Sequence, residues 1–402
     1  MPDHSDTPAK TIGTRIAEIR AIRGLSLTAL GQRAHVSASQ LSRIERGQRH
    51  AGPGMVAAIA RALGVGVSVL YGQPYVHALR ENQLDGMLQP IRTALDSWDL
   101  PPDGEPEPRP LPVLEHEVAR LVDMRVRTEF TQIAERLPGL ITEAVLMAQA
   151  HAAPGRARER AFRAVAEVAR SAAIVAYRLG YMDLARLALA RMAAAAPHSG
   201  DPRQVAIERY ERAQMSHAES SRPDRAEAMM RRALRDLDDD RDRATRAVRG
   251  TLQLRAAMMA ATQGNMTGAA DWLGQAAELA DQIGEETNDF AMAFGRLNVQ
   301  LNRMAVLTAA DDHAGALACA EGLRLPPDYP QMRAAGFWIG KARSQTWTAD
   351  HDGALESLLE AKRLAPQMTR YHPGVHETVG TLLRARQRTP EALRRFARWS
   401  GV

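Results

Sequence analysis

The sequence predicts an all-α protein in two parts. Three observations predict it. Apolar residues recur at helical spacing through nearly the whole chain. Residues 12–71 break into five short helical stretches with a tight turn in their midst. Beyond residue 113, a turn followed by a helix opening near an alanine returns five times.

Composition bounds the rest. A chain of 402 residues has room for two or three domains. Hydrophobic residues make up 45% and aromatics only 4%, so the core must rest on Ala, Leu, Val, Ile and Met. The single cysteine, Cys319, excludes an intramolecular disulfide and points to a reducing compartment. The opening MPDHSDTPAK has acids and a proline but no apolar run, so no signal peptide is expected there. No run of 18 apolar residues predicts a membrane span. The expectation is a cytoplasmic protein.

Charge is uneven along the chain. Residues 1–75 hold nine Lys and Arg against four acids, an excess of +5 that equals the formal charge of the whole protein. A basic front on a neutral body suits attraction to phosphates. Arginine abundance by itself proves nothing, because 49 of the 52 basic residues are arginines.

The elements follow in order. Residues 1–11 read as a disordered arm. Ile12, Ile16 and Ile19 share a helix face, and Gly24 stops that helix. Ser26 caps a second helix with Leu27 and Leu30 inward. After the turn His35-Val36-Ser37, Ser37 and Gln40 form a capping box. Leu41 and Ile44 face the core, and Gly47 ends the helix. Pro53 opens a fourth helix; Val67, Leu70 and Tyr71 close the unit. Two short helices about a tight turn make a helix-turn-helix.

The run LSLTALGQRAHVSASQLSRIERGQR, with ALGVGVSVLYG after it, resembles the Xre/Cro-type family of bacterial and phage repressors. The resemblance covers residues 12–72. It implies a five-helix domain whose third helix enters the major groove of double-stranded DNA. Carried over position by position, Ala38, Ser39, Ser42 and Arg43 would read bases. Arg43 could bond both O6 and N7 of guanine, and Ala38 could touch a thymine methyl. Ser26, Thr28, Ser37, Gln40, Arg46, Gln48 and Arg49 would position phosphates, with the cap the preferred role of Gln40. Arg20 and Glu45 stand where similar domains have an ion pair. Three positions depart from the family pattern: Leu27 replaces a phosphate-gripping glutamine, His35 a glycine, and Gly31 an alanine.

Residues 73–100 read as a connecting helix with Leu79, Leu84, Leu88, Ile91 and Leu95 on one stripe, Trp98 at its end. Prolines 101, 102, 106, 108, 110 and 112 then make a stiff linker. Residues 113–402 form the body. Its five signatures carry Ala185, Ala226, Ala269, Ala316 and Ala354, small enough for close packing of paired helices. This pattern resembles a divergent tetratricopeptide array, over roughly 160–370; a generic helical bundle is the plainer alternative. Residues 373–400 read as capping helices. The resemblance implies an α-solenoid that dimerises and senses a ligand on a concave face. Arg296, Asn298, Asn302 and Arg303 are candidates for that groove, since an amide offers both donor and acceptor. A polar face or interhelix hydrogen bonds would explain them equally.

No catalytic motif appears, and no cofactor or metal is expected. The aspartates of DLDDDRDR, 236–243, lack calcium-loop spacing, and His372 and His376 flank Pro373 without metal-site geometry. The expected function is a dimeric, sequence-specific transcription regulator on a two-fold symmetric operator. Its body would sense a peptide, small molecule or protein partner. The rival is an interaction scaffold with weak or non-specific DNA binding. An enzyme is not expected.

Overall fold

The computed structural model describes residues 12–34, 36–49, 51, 53–63, 70, 78–97, 99, 107–220, 223–237, 242–385 and 389–402. The arm 1–11, His35, Trp98, Val67 and Tyr71 lie outside them. The chain divides into two compact units, one of residues 1–75 with 216–222, the other of 76–215 with 223–402. Among the described residues the regular structure is helical, with one isolated β-bridge, Thr287 to Phe294.

The first unit contains α1 (Ile12–Ile22), α2 (Leu27–Ala34), α3 (Ala38–Glu45) and α4 (Pro53–Leu63). Ile16, Leu30, Leu41, Ile44, Val56, Ile59 and Leu70 form its core. Of the predicted fifth helix only Leu70 is described, and it is buried.

The second unit opens with α5 (Ala78–Asp96), α6 (Leu111–Val126) and α7 (Phe130–Ala150). The connecting helix is no free connector: Leu88, Ile91 and Leu95 enter the main core, and α5 packs on α7. Arg109, just before α6, makes a two-pronged ion pair with Glu143 of α7, at 2.8 and 2.6 Å. The end of the proline-rich stretch is thereby tied to the body.

Paired helices follow: α8 (Arg156–Leu179) with α9 (Met182–Ala195), α10 (Pro202–Ser220) with α11 (Pro223–Asp236), α12 (Arg243–Thr262) with α13 (Met266–Ile283), α14 (Arg296–Ala309) with α15 (His313–Ala320), and α16 (Gln331–Trp347) with α17 (His351–Leu364). Ala185, Ala226, Ala269, Ala316 and Ala354 each sit near the start of the second helix, and all five are wholly buried. A larger side chain there would hold the paired helices apart. The last three second helices also share a start. Asn265, Asp312 and Asp350 accept from the backbone N–H groups of Gly268, Gly315 and Gly353, at 2.9, 2.9 and 3.0 Å. These are side-chain N-caps satisfying orphan donors.

The chain ends in α18 (Pro366–Tyr371), α19 (Pro373–Ala385) and α20 (Glu391–Ser400). They do more than cover an open end. Helix α18 packs on α8, and the Gln367 amide bonds Thr131 across 236 positions of sequence. The body therefore curls until its last helices meet its first.

Candidate nucleic-acid interface

Helix α3 is built from its cap upward. Ser37 Oγ accepts from the Gln40 N–H at 3.2 Å, and Gln40 Oε1 accepts from the Ser37 N–H at 3.4 Å. The predicted capping box is formed on both sides. Ser26 caps α2 through the Ala29 N–H at 3.0 Å. Gly47, past the end of α3, has φ +70°, a conformation open to glycine without strain.

Leu41 and Ile44 anchor α3 in the core, so its other face is turned outward. Ser39 and Arg43 are exposed on it; Ala38 and Ser42 are half-buried. The Arg43 guanidinium folds back on its own helix, donating to Ser39 Oγ at 3.0 Å and towards the Ser39 carbonyl at 3.4 Å. Two expected base readers thus hold each other. Their i, i+4 spacing was visible in the sequence, but the pairing was not drawn from it. Arg46 likewise donates to the Ser42 carbonyl at 3.2 Å.

The expected phosphate contacts Ser26, Thr28, Ser37, Arg46, Gln48 and Arg49 are all exposed, while Gln40 is half-buried in its cap. Arg20 and Glu45 form the expected ion pair, bidentate at 2.7 and 2.8 Å. That hydrogen bond holds the Arg20 guanidinium above its ordinary pKa, against burial. The pair ties α1 to α3 and sets the angle at which α3 is presented. At Gly31, an added Cβ would lie 2.5 Å from the Val36 carbonyl oxygen. Glycine at this position therefore lets the Val36 carbonyl lie close against α2.

The groove expected in the body is not formed by its four candidates. Asn298 is 1% exposed, and its amide donates to the Tyr329 hydroxyl at 3.2 Å. Asn302 donates back to the Asn298 side chain and carbonyl, at 3.1 and 2.9 Å. Arg296 is paired with Asp281 at 2.6 Å on the surface, and Arg303 is exposed. Asn298 is thus tied to the loop ahead of α16, and Asn302 to its own helix, as buried polar groups require.

Sequence reasoning missed a different polar group. Arg125, Arg170, Arg178, Tyr210 and Arg333 meet inside the body although they span more than 200 positions. Their only signal in the sequence was an arginine set among apolar residues, as at Arg170 in AEVARSAAIV. Elsewhere, His376 Nε2 contacts the Arg370 carbonyl at 2.7 Å and His372 Nδ1 accepts from the Gly374 N–H at 3.1 Å. Among the described residues no group of His, Cys, Asp and Glu has metal-binding geometry, and no helix is long and apolar enough to cross a membrane.

Residues 11–70 match a family model described as a helix-turn-helix domain. No curated protein matches the chain. One solved structure that resembles it is Bacillus thuringiensis PlcR in complex with the peptide PapR7 and DNA. That chain is 16% identical, the match covers 69% of this chain and 96% of that one, and the TM-score is 0.28. So loose a superposition carries no argument about ligands.

Proposed function

We propose that this chain, which carries a helix-turn-helix domain at its N-terminus, is a sequence-specific transcription regulator that binds double-stranded DNA as a dimer. The observation that carries the reading is α3 itself: capped at its start, braced by Arg20–Glu45, and exposing Ser39 and Arg43 beside the exposed basic residues Arg46 and Arg49. An exposed helix flanked by phosphate-binding groups is what major-groove reading requires. One such helix reads only a few base pairs, and a symmetric pair doubles the site. The tetratricopeptide-like body supplies the dimer contact and senses a peptide, small molecule or protein partner. The reading includes no catalytic step.

The test is selection of bound fragments from genomic DNA with the full chain at near-physiological salt, because phosphate contacts alone give salt-dependent, sequence-blind binding. The expected product is one two-fold symmetric site. Recovery of DNA with no shared site would overturn the reading and leave an interaction scaffold with a non-specific front.

A further inference from the structure

Where the body curls on itself, its inward helices and the segment 288–293 line a partly open cavity of about 60 Å³. Arg125 of α6, Arg170 and Arg178 of α8, Tyr210 and Glu211 of α10, and Arg333 of α16 line it. Arg255 of α12 reaches the same group, donating to the Tyr210 hydroxyl at 2.9 Å and to Gln214 at 2.8 Å.

The charges do not balance. Glu211 accepts from Arg170 at 3.0 Å, and Glu167 pairs with Arg125 at 3.2 Å and lies 3.7 Å from Arg170. These two carboxylates answer two of the five guanidiniums. Arg170 is further satisfied by the Phe290 carbonyl at 2.7 Å, and Arg125 by Ser171 at 2.8 Å. Arg255 and Arg333 share one phenol, with Arg333 at 3.5 Å. Arg178 has the poorest set. It contacts the Met332 thioether at 3.5 Å and lies over the Tyr177 ring, and its Nε is buried without a partner. The surplus positive field acts on Tyr210: although burial opposes ionisation, Arg255 and Arg333 bring its hydroxyl down to about 8.

Guanidiniums held partly out of water without counter-charge are costly, and a planar donor fork fits an oxyanion. We propose that this cavity binds an oxyanion, the phosphate or carboxylate group of a small ligand, with Arg178 and Arg333 as its principal donors. The cavity exceeds what one water needs. It has room for one such group. The site deepens the reading of the body as the sensing domain and rests on it: donors from α8 and α16 would be drawn together by one anion.

The test is thermal unfolding of the full-length protein in inorganic phosphate, in acetate, and in chloride at matched ionic strength, without DNA. The expected result is a saturable rise in Tm with phosphate, acetate or both, since a ligand that binds only the folded state stabilises it. Phosphate alone or acetate alone assigns the group. The rise should disappear in Arg178→Met and in Arg333→Met, two variants chosen so that misfolding of one leaves the other as the probe. No saturable rise with either anion overturns the proposal. A rise that survives both substitutions does so too, by placing the anion elsewhere. Failure of the genomic selection would sink the regulator reading and leave this binding result standing.

Discussion

Arg43 is the residue on which the DNA reading turns. In the free chain its guanidinium is spent on Ser39, an exposed contact that water can replace at little cost. If it reads a guanine, Arg43→Ala should lose about 1–3 kcal/mol of binding, confined to one position of the selected site. Fluorescence anisotropy on single-base variants of that site would check this. An equal loss on every sequence would demote Arg43 to a phosphate contact. His372 gives a residue-scale prediction about stability. Burial, with the charge of Arg178 and the neighbouring His376, pushes its imidazole down to about 3. The neutral ring also accepts from Gly374 N–H, a bond that protonation would remove. The unfolded chain takes up this proton below about pH 6.5 and the folded chain does not, so stability falls as pH drops from there towards 3. The loss reaches up to about 2 kcal/mol at pH 5. His372→Asn should flatten that part of the profile in urea titrations at pH 7 and pH 5; an unchanged slope would mean other groups carry it.

At the scale of elements, capping and close packing decide. The capping box of α3 was legible because its two residues lie three apart and their chemistry is local. So were the five small alanines, each buried where the second helix of a pair meets the first. The packing of Phe294 was not legible. Its ring is wholly buried against Gly250, in the middle of α12, where an added Cβ would come within 1.9 Å of the ring. Helix propensity alone favours Gly250→Ala by about 1 kcal/mol. Overpacking works the other way at about 1–3 kcal/mol and wins, so the variant should be destabilised by up to about 2 kcal/mol net. Equilibrium unfolding measures the sign directly. Combining it with Phe294→Leu should recover part of the loss, whereas a more stable single variant would show that the loop 284–295 yields easily.

At the scale of the whole molecule, the body is closed where a simple array would be open. Contacts between α18 and α8 join its last helices to its early ones. Deleting residues 366–402 should therefore speed amide hydrogen exchange in α8 as well as in α16 and α17. In an open array only the neighbouring pair would respond, so an α8 whose protection is unchanged would refute the closure.

The helices, the caps at Ser26 and Ser37, the exposed outer face of α3 and the buried alanines were legible in the order of residues alone. Each depends on residues close in the chain, where periodicity and local hydrogen bonding suffice. Three other matters were settled by how the helices pack. Packing brought α5 into the core, and it spent the Asn298 and Asn302 amides on the Tyr329 loop and on their own helix. It also gathered Arg125, Arg170, Arg178, Arg255 and Arg333 around one cavity. Those outcomes depend on how far successive helix pairs rotate. That rotation is a sum of many small packing choices, and no local pattern encodes it.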